Sequence, residues 1–350
     1  MSKTIPLNFE WIPTFDAARV YLHIGGVHNH HNARLNTMER GADGHWRDTV
    51  DVPEDLRASY RIVPVDAATA STTEDTNSPS FDLRTRWMQL YQNVVEGDNS
   101  LEYRYAPREP TESGRIVMPA APAAPGWETG DALTQWSTEE LDGRQVYLAG
   151  PADATELLVL FDAHHWIRTP LDAALHRLHA AGKLPRFRIA AIDTAANRVA
   201  ELSRSPLMRS FIADTLLPHF PQYSPAHRVL SGQSLGGLTS LDIAIAQPGL
   251  CRRIVSNSGS YWFPDGSAQA GESIAEDLHN GAAAALAAAG TRVFMTVGKN
   301  EGMGMEIHTP AVARELEAAG VDSRLEVTSA AHEMAAWEGG LTRGLCWLYS

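Results

Sequence analysis

The heptapeptide Ser231-Gly232-Gln233-Ser234-Leu235-Gly236-Gly237 constrains this chain more than any other stretch. It is a G-x-S-x-G pattern that follows the apolar run Arg228-Val229-Leu230 and opens a helix-like segment at residues 238–246. A strand that turns sharply into a helix forces its central residue into a strained conformation, and the flanking positions must be glycines so that the backbones pass without a Cβ clash. Ser234 would then stand exposed above a sheet. The Leu235 N–H, at the helix N-terminus, would point at the place where an oxyanion forms. An ordinary Gly/Ser turn is the alternative, and the strand before and helix after it argue against that.

With 350 residues, 44% of them hydrophobic and 20% charged, the chain can bury a large core and divide into two domains. A formal net charge of -13 argues against nucleic acid or an anionic membrane surface as partner, since either needs a basic face. Any anionic ligand must be met by local cations. Cys251 and Cys346 make neither a disulfide framework nor a metal-ligand spacing, which suits a reducing compartment. The start Met1-Ser2-Lys3-Thr4-Ile5-Pro6 lacks the apolar core of a signal peptide, and no segment approaches the ~20 apolar residues that span a bilayer. The expected location is the cytoplasm.

Residues 19–24, 45–50 and 59–63 alternate apolar with polar and are separated by Gly and Asp/Asn turns, the pattern of a small antiparallel sandwich. The Pro- and Ala-rich stretch 118–127 cannot be helix or central strand and is expected to link an N-terminal β-rich domain, residues 1–117, to a second domain, residues 128–350. Beyond it, continuous apolar runs at 157–161 and 187–192 read as strands covered on both faces, with helix-like stretches between them, and 291–297 and 323–327 continue the series. One of these helices is expected at 311–319, stopped by Gly320, and an amphipathic stretch at 334–349 ends the chain. This order predicts a right-handed, mostly parallel α/β sheet.

In an α/β-hydrolase fold the nucleophile is followed by an acid and then a histidine, both on loops after later strands. Gly298-Lys299-Asn300-Glu301-Gly302 offers Glu301 as the acid, with Glu306 and Glu333 as competitors, and Ala330-Ala331-His332-Glu333 offers His332 as the base. A serine hydroxyl is a weak nucleophile until an imidazole takes its proton, and a carboxylate fixes the imidazole tautomer. The second oxyanion donor is expected from Phe161-Asp162-Ala163-His164-His165-Trp166, at the N–H of Ala163 or His164. Asp162 could instead merely cap that loop, and Trp166 could pack in the core.

Together the elbow, the segment Ser256-Asn257-Ser258-Gly259-Ser260-Tyr261-Trp262 and the ending His332-Glu333-Met334-Ala335-Ala336-Trp337 resemble the enterochelin (enterobactin) esterase family. Gly26-Val27-His28-Asn29-His30-His31, Met38-Glu39-Arg40 and Pro125-Gly126-Trp127 resemble that family's N-terminal module and its junction. The resemblance implies a serine esterase that opens the trilactone of a ferric catecholate siderophore, with iron arriving in the substrate and no resident cofactor or metal. Ser234, Glu301 and His332 match the family's catalytic positions, and Arg198-Val199-Ala200-Glu201-Leu202 its R-x-x-E-L element. Three positions depart from the family pattern. Ala163 replaces a glycine, Ser205 an asparagine and Glu333 an aspartate.

A ferric tris-catecholate carries a triple negative charge, so a chain of this net charge needs cations in its pocket. Arg198 and Arg40 are the candidates, although each could be a plain surface ion pair, Arg198 with Glu201. Trp166 and Trp262 offer flat faces for catechol rings, and His30 is a candidate at the substrate mouth. The alternatives are a general carboxylesterase or acyltransferase of the same fold, or a siderophore-binding protein without catalysis.

Overall fold

Alternating burial gives the first part of the chain strands with one covered face. The computed structural model describes residues 3–28, 36–67, 112–194, 197–263, 273–302 and 304–350. Its first strands are β1 (Thr4–Trp11), β2 (Arg19–Ile24), β3 (Asn36–Thr37), β4 (Glu39–Arg40), β5 (Trp46–Pro53), β6 (Arg57–Val65) and β7 (Glu112–Val117). They form two antiparallel sheets, ordered β1-β5-β4 and β3-β2-β6-β7. Phe9, Trp11, Trp46 and Val52 from the first sheet share one buried cluster with Val20, Leu22, Ile24, Ile62 and Ile116 from the second. That shared core is the sandwich expected from the alternation. The strand anticipated at 59–63 is longer, and β7 was not anticipated at all.

The described residues fall into two compact units. The first holds the N-terminal module up to Pro122 together with Lys299–Gly302 and Thr328–Ala336, and the second holds Ala123–Gly298, Met303–Val327 and Trp337–Ser350.

The second unit is built on a sheet ordered β15-β14-β13-β12-β10-β11-β9-β8. Its strands are β8 (Ser137–Leu141), β9 (Arg144–Ala149), β10 (Glu156–Leu160), β11 (Phe187–Ile192), β12 (Arg228–Gln233), β13 (Arg253–Asn257), β14 (Arg292–Gly298) and β15 (Asp322–Thr328). The pairs β10/β11, β10/β12, β12/β13 and β13/β14 are parallel, while β9 runs antiparallel to β11 and β8 to β9. Asp142 and Gly143, both at positive φ (48° and 72°), make the two-residue turn of the β8/β9 hairpin. Every residue of β10 is buried: Leu157–Leu160 as an apolar run, and Glu156 with its carboxylate bonded to His227 and Tyr349.

Strand order reverses at β10, whose neighbours β11 and β12 lie on opposite sides of it. In open α/β sheets a ligand binds beyond the carboxyl ends of the strands at such a reversal. The elbow sequence sits at that end of β12. The helix Leu235–Ala246 follows it and is buried from Leu235 to Ala244, so it packs as a core helix. The helix expected at 311–319 starts earlier, running Met305–Ala318 with Pro310 inside it, and the last helix is Met334–Leu348. Among the described residues no helix is long and apolar enough to cross a membrane.

Leu230, fully buried in β12 and paired across it with Val159 and Ile254, tests how far the elbow depends on the sheet below it. Leu230→Ala is expected to lower stability by about 2–5 kcal/mol, because a closely packed core cannot collapse around the lost atoms. The shift of the urea midpoint measures this, and an unchanged midpoint would show that the core around β12 is loosely packed.

Candidate active site

Ser234 lies between β12 and its helix at φ 56°, ψ -124°, outside the conformations an L-residue adopts without cost. Close approach of the two arms imposes this geometry. A Cβ on Gly232 would fall 2.3 Å from the carbonyl carbon of Gly236, and one on Gly236 would lie 3.0 Å from Phe161 Cβ. Gly232 is therefore a steric requirement of the turn, and Gly236 packs tightly against Phe161 of the neighbouring loop. The strained serine is held from the β13 side. Its N–H donates to Asn257 O at 3.0 Å, its carbonyl accepts from Ser260 N–H at 3.0 Å, and its Oγ lies 3.2 Å from Ser260 Oγ. The Ser258-Gly259-Ser260 turn is itself fixed, with Ser258 at φ 49° and its Oγ accepting from Trp337 Nε1 at 2.9 Å. The Leu235 N–H, first in its helix, has no acceptor among the described residues and carries the positive end of the helix dipole.

Adjacent to the elbow, the chain leaves β10 through Phe161 and Asp162. Phe161 N–H donates to Ser231 O at 3.1 Å, which fixes this loop against β12. Asp162 adopts the left-handed conformation (φ 59°, ψ 56°) and turns the chain into the short helix Ala163–Trp166. Its carboxylate is fully buried. Arg198 Nε and Thr194 Oγ1 each donate to Oδ1 at 2.8 Å, and Arg198 Nη2 donates to Oδ2 at 2.8 Å. Burial pushes this carboxyl's pKa up, but the hydrogen bonds and charge of Arg198 outweigh it, so the group stays below the ordinary carboxylate range. Ala163 N–H, like that of Leu235, has no acceptor among the described residues. Burial also drives the neighbouring imidazoles toward the neutral form, His165 down to about 3 and His164 in the same direction.

In the first unit, His332 and Glu301 form a hydrogen-bonded pair. His332 Nδ1 and Glu301 Oε2 are 3.0 Å apart, and the Glu301 side chain is 1% exposed. A proton on Nδ1 donated to that carboxylate leaves Nε2 as the basic nitrogen. The competing acids are engaged elsewhere: Glu306 is exposed, and Glu333 accepts from Ser59.

Residues 147–348 match the family described as putative esterase, and residues 9–127 match the enterochelin esterase N-terminal family. The chain belongs to the enterochelin esterase family. The iron(III) enterobactin esterase of Dickeya dadantii is 28% identical to this chain over 94% of it and 83% of that relative. That of Escherichia coli K12 is 29% identical over 93% and 85%. The crystal structure of ferric enterobactin esterase from Salmonella typhimurium superposes with a TM-score of 0.82 at 26% identity, covering 99% of this chain and 94% of that one.

For this esterase, two expectations need correction. Trp166 presents no face to a ligand: it is fully buried, and its indole N–H donates to Gln233 Oε1 at 3.2 Å, so it supports the elbow from below. Arg198 does not pair with Glu201, which is taken by Arg144 at 2.5 Å; its carboxylate is Asp162. Arg40, half-exposed in the N-terminal module, bonds Asp16 at 3.2 Å and lies 5.8 Å from the Trp46 ring. Trp262 is half-buried and meets Phe263 edge-on at 6.0 Å. His30 lies outside the described residues, and His28 Nδ1 accepts from Ile24 N–H at 3.0 Å. Sequence reasoning assigned no part to Ser260 or Thr194. Only the run of small residues after β13 hinted at the first.

The Asp162–Arg198 pair makes a test with a defined sign. Because the folded carboxyl titrates below its unfolded value of about 3.9, its stabilising contribution is present above about pH 4 and is lost as pH falls through the folded value. Arg198→Ala leaves an uncompensated buried carboxylate and is expected to cost about 3–5 kcal/mol at pH 7. The gap to wild type should narrow on acidification below about pH 4, as wild type progressively loses the charge-pair contribution that the variant lacks throughout. Urea midpoints at both pH values check this; equal stability of the two proteins at pH 7 would remove Asp162 as the anchor.

Proposed function

We propose that this chain is a serine esterase that hydrolyses the trilactone backbone of a ferric catecholate siderophore of the enterobactin type. One observation carries the reading. The resemblance to iron(III) enterobactin esterases runs through both the N-terminal module and the esterase region, covering 93–94% of the chain, so it extends beyond the hydrolase fold that many esterases share.

In this reading Ser234 Oγ attacks a lactone carbonyl as His332 Nε2 takes its proton, and Glu301 stabilises the imidazolium. The tetrahedral oxyanion is held by the Leu235 N–H and by that of Ala163 or His164, supported by the open donors at the starts of their helices. Collapse expels a seryl alkoxide, which His332 protonates, and water then resolves the acyl-enzyme. The iron stays with the catecholates and enters and leaves with the substrate; no resident cofactor takes part. A cytoplasmic location completes the proposal, since a ferric siderophore must be opened where its iron is used.

A trianionic ligand meets a chain of formal charge -13, so its recognition is local. Arg198 forms a neutral pair with Asp162, and we assign it chiefly to holding the oxyanion loop. Among the described residues Arg40's ion-pair partner is Asp16, through an exposed bridge weak enough to exchange for a ligand's charge. Arg40, Trp262 and His30 are the proposed substrate contacts.

Chromatography of ferric and iron-free trilactones incubated with enzyme, beside a short nitrophenyl ester, tests the proposal. Wild type should open the trilactone with a higher kcat/KM than the small ester, and Ser234→Ala should abolish turnover while binding persists. Residual turnover within about tenfold of wild type, a loss of only ~1.4 kcal/mol, would overturn the nucleophile. Preference for the nitrophenyl ester would make this a general carboxylesterase.

A further inference from the structure

The loops bearing Glu301 and His332 are each tied down one residue away from the pair. Asn300, beside Glu301, donates from Nδ2 to Gly26 O at 2.6 Å. Glu333, beside His332, accepts at both oxygens: Oε1 from Ser59 N–H at 2.8 Å, and Oε2 from the Ser59 hydroxyl. Ser59 and Gly26 belong to β6 and to the turn after β2 in the N-terminal module, which shares one compact unit with both loops.

Further bonds reinforce each attachment. Arg57 N–H donates to Ser329 O at 3.2 Å, and Arg57 makes an isolated parallel bridge with Ala330. Lys299 Nζ lies 3.4 Å from Asp55 Oδ2 and 3.2 Å from Ser329 Oγ. The module has also made room for the Glu333 carboxylate. Gly25 N–H donates to Ser59 O at 3.0 Å, and a Cβ on Gly25 would stand 2.4 Å from Glu333 Oε1. Glu333 is 5% exposed, and a carboxylate so buried is tolerated only where its oxygens are satisfied. Both are satisfied by a single residue of β6.

Given the esterase reading above, we propose that Glu333 and Asn300 are positioning residues through which the N-terminal module sets the geometry of the His332–Glu301 pair. The module then acts on the chemical step for any ester, beyond whatever part it takes in binding a siderophore. Glu333, where the family pattern has the shorter aspartate, reaches Ser59 with both oxygens.

The test uses the full chain and measures kcat and KM on a small neutral nitrophenyl ester and on a trilactone. Glu333→Ala is expected to lower kcat about 10- to 100-fold on both substrates while KM moves less than about threefold, the signature of a misplaced base. Glu333→Gln, which can still accept from Ser59 N–H and bond its hydroxyl, should restore kcat to within about threefold of wild type. Asn300→Ala should also lower kcat on both substrates, and it carries the test if Glu333→Ala does not fold. An unchanged kcat on the nitrophenyl ester, or a loss confined to trilactone KM, would overturn the proposal. Ser234→Ala runs alongside: activity surviving in that variant would overturn the esterase reading beneath it, whereas an inactive Ser234→Ala beside a fully active Glu333→Ala would refute positioning alone.

Discussion

At the end of β12 a Cβ on Gly232 would run into the backbone of Gly236, so the strand and the helix that follows it pass this closely only with glycine there. Gly232 and Gly236 allow it, and Ser234 between them takes up the strain at φ 56°. A strained residue of this kind costs about 1–3 kcal/mol and persists only where its surroundings over-determine it. Here they do. The Ser234 N–H bonds the last residue of β13 and its carbonyl the loop after it, the helix it opens is buried nearly throughout, and Trp166 braces Gln233 from the neighbouring segment. The strain leaves the Leu235 N–H open at the start of a buried helix.

Two buried carboxylates show how one environment can serve different ends. Asp162 is matched to a guanidinium that never gives up its proton, so the pair is a fixed strut under the Ala163 turn. Glu301 is matched to an imidazole, which in the proposed mechanism takes and returns a proton. Burial alone would raise Asp162, and the hydrogen bonds and charge of Arg198 outweigh it. In the proposed mechanism the partner decides which carboxylate is scaffold and which supports proton transfer.

Much of the fold was legible because hydrophobic periodicity is a local signal. β2 and β11 match their expected spans, and the runs at 157–161, 187–192, 291–297 and 323–327 fall on β10, β11, β14 and β15, whereas β13 was not anticipated. The β8/β9 hairpin went unrecognised because its strands are partly exposed, although Asp142-Gly143 was a turn signal in plain sight. The helix after β14 begins at Met305, ahead of the apolar positions that marked it, because its first turns are polar and carry a proline. In the site, Ser234, Glu301 and His332 could be picked out because motif and chain order announce them. The partners could not. Arg198 has a glutamate three residues on, yet its carboxylate is Asp162, 36 residues earlier. Glu333 reaches Ser59, 274 residues away in sequence. Such pairings depend on which loops a fold brings together, and no local pattern encodes them.

The central claim is that the strained serine is the nucleophile, and covalent capture tests it most directly. The intact enzyme would be treated with a fluorophosphonate and digested, and the modified peptide located by mass spectrometry. A single adduct on Ser234, absent from Ser234→Ala and formed far more slowly in His332→Ala, is the predicted result. An adduct on Ser260, whose hydroxyl is hydrogen-bonded to that of Ser234, or no adduct at all, would contradict the account.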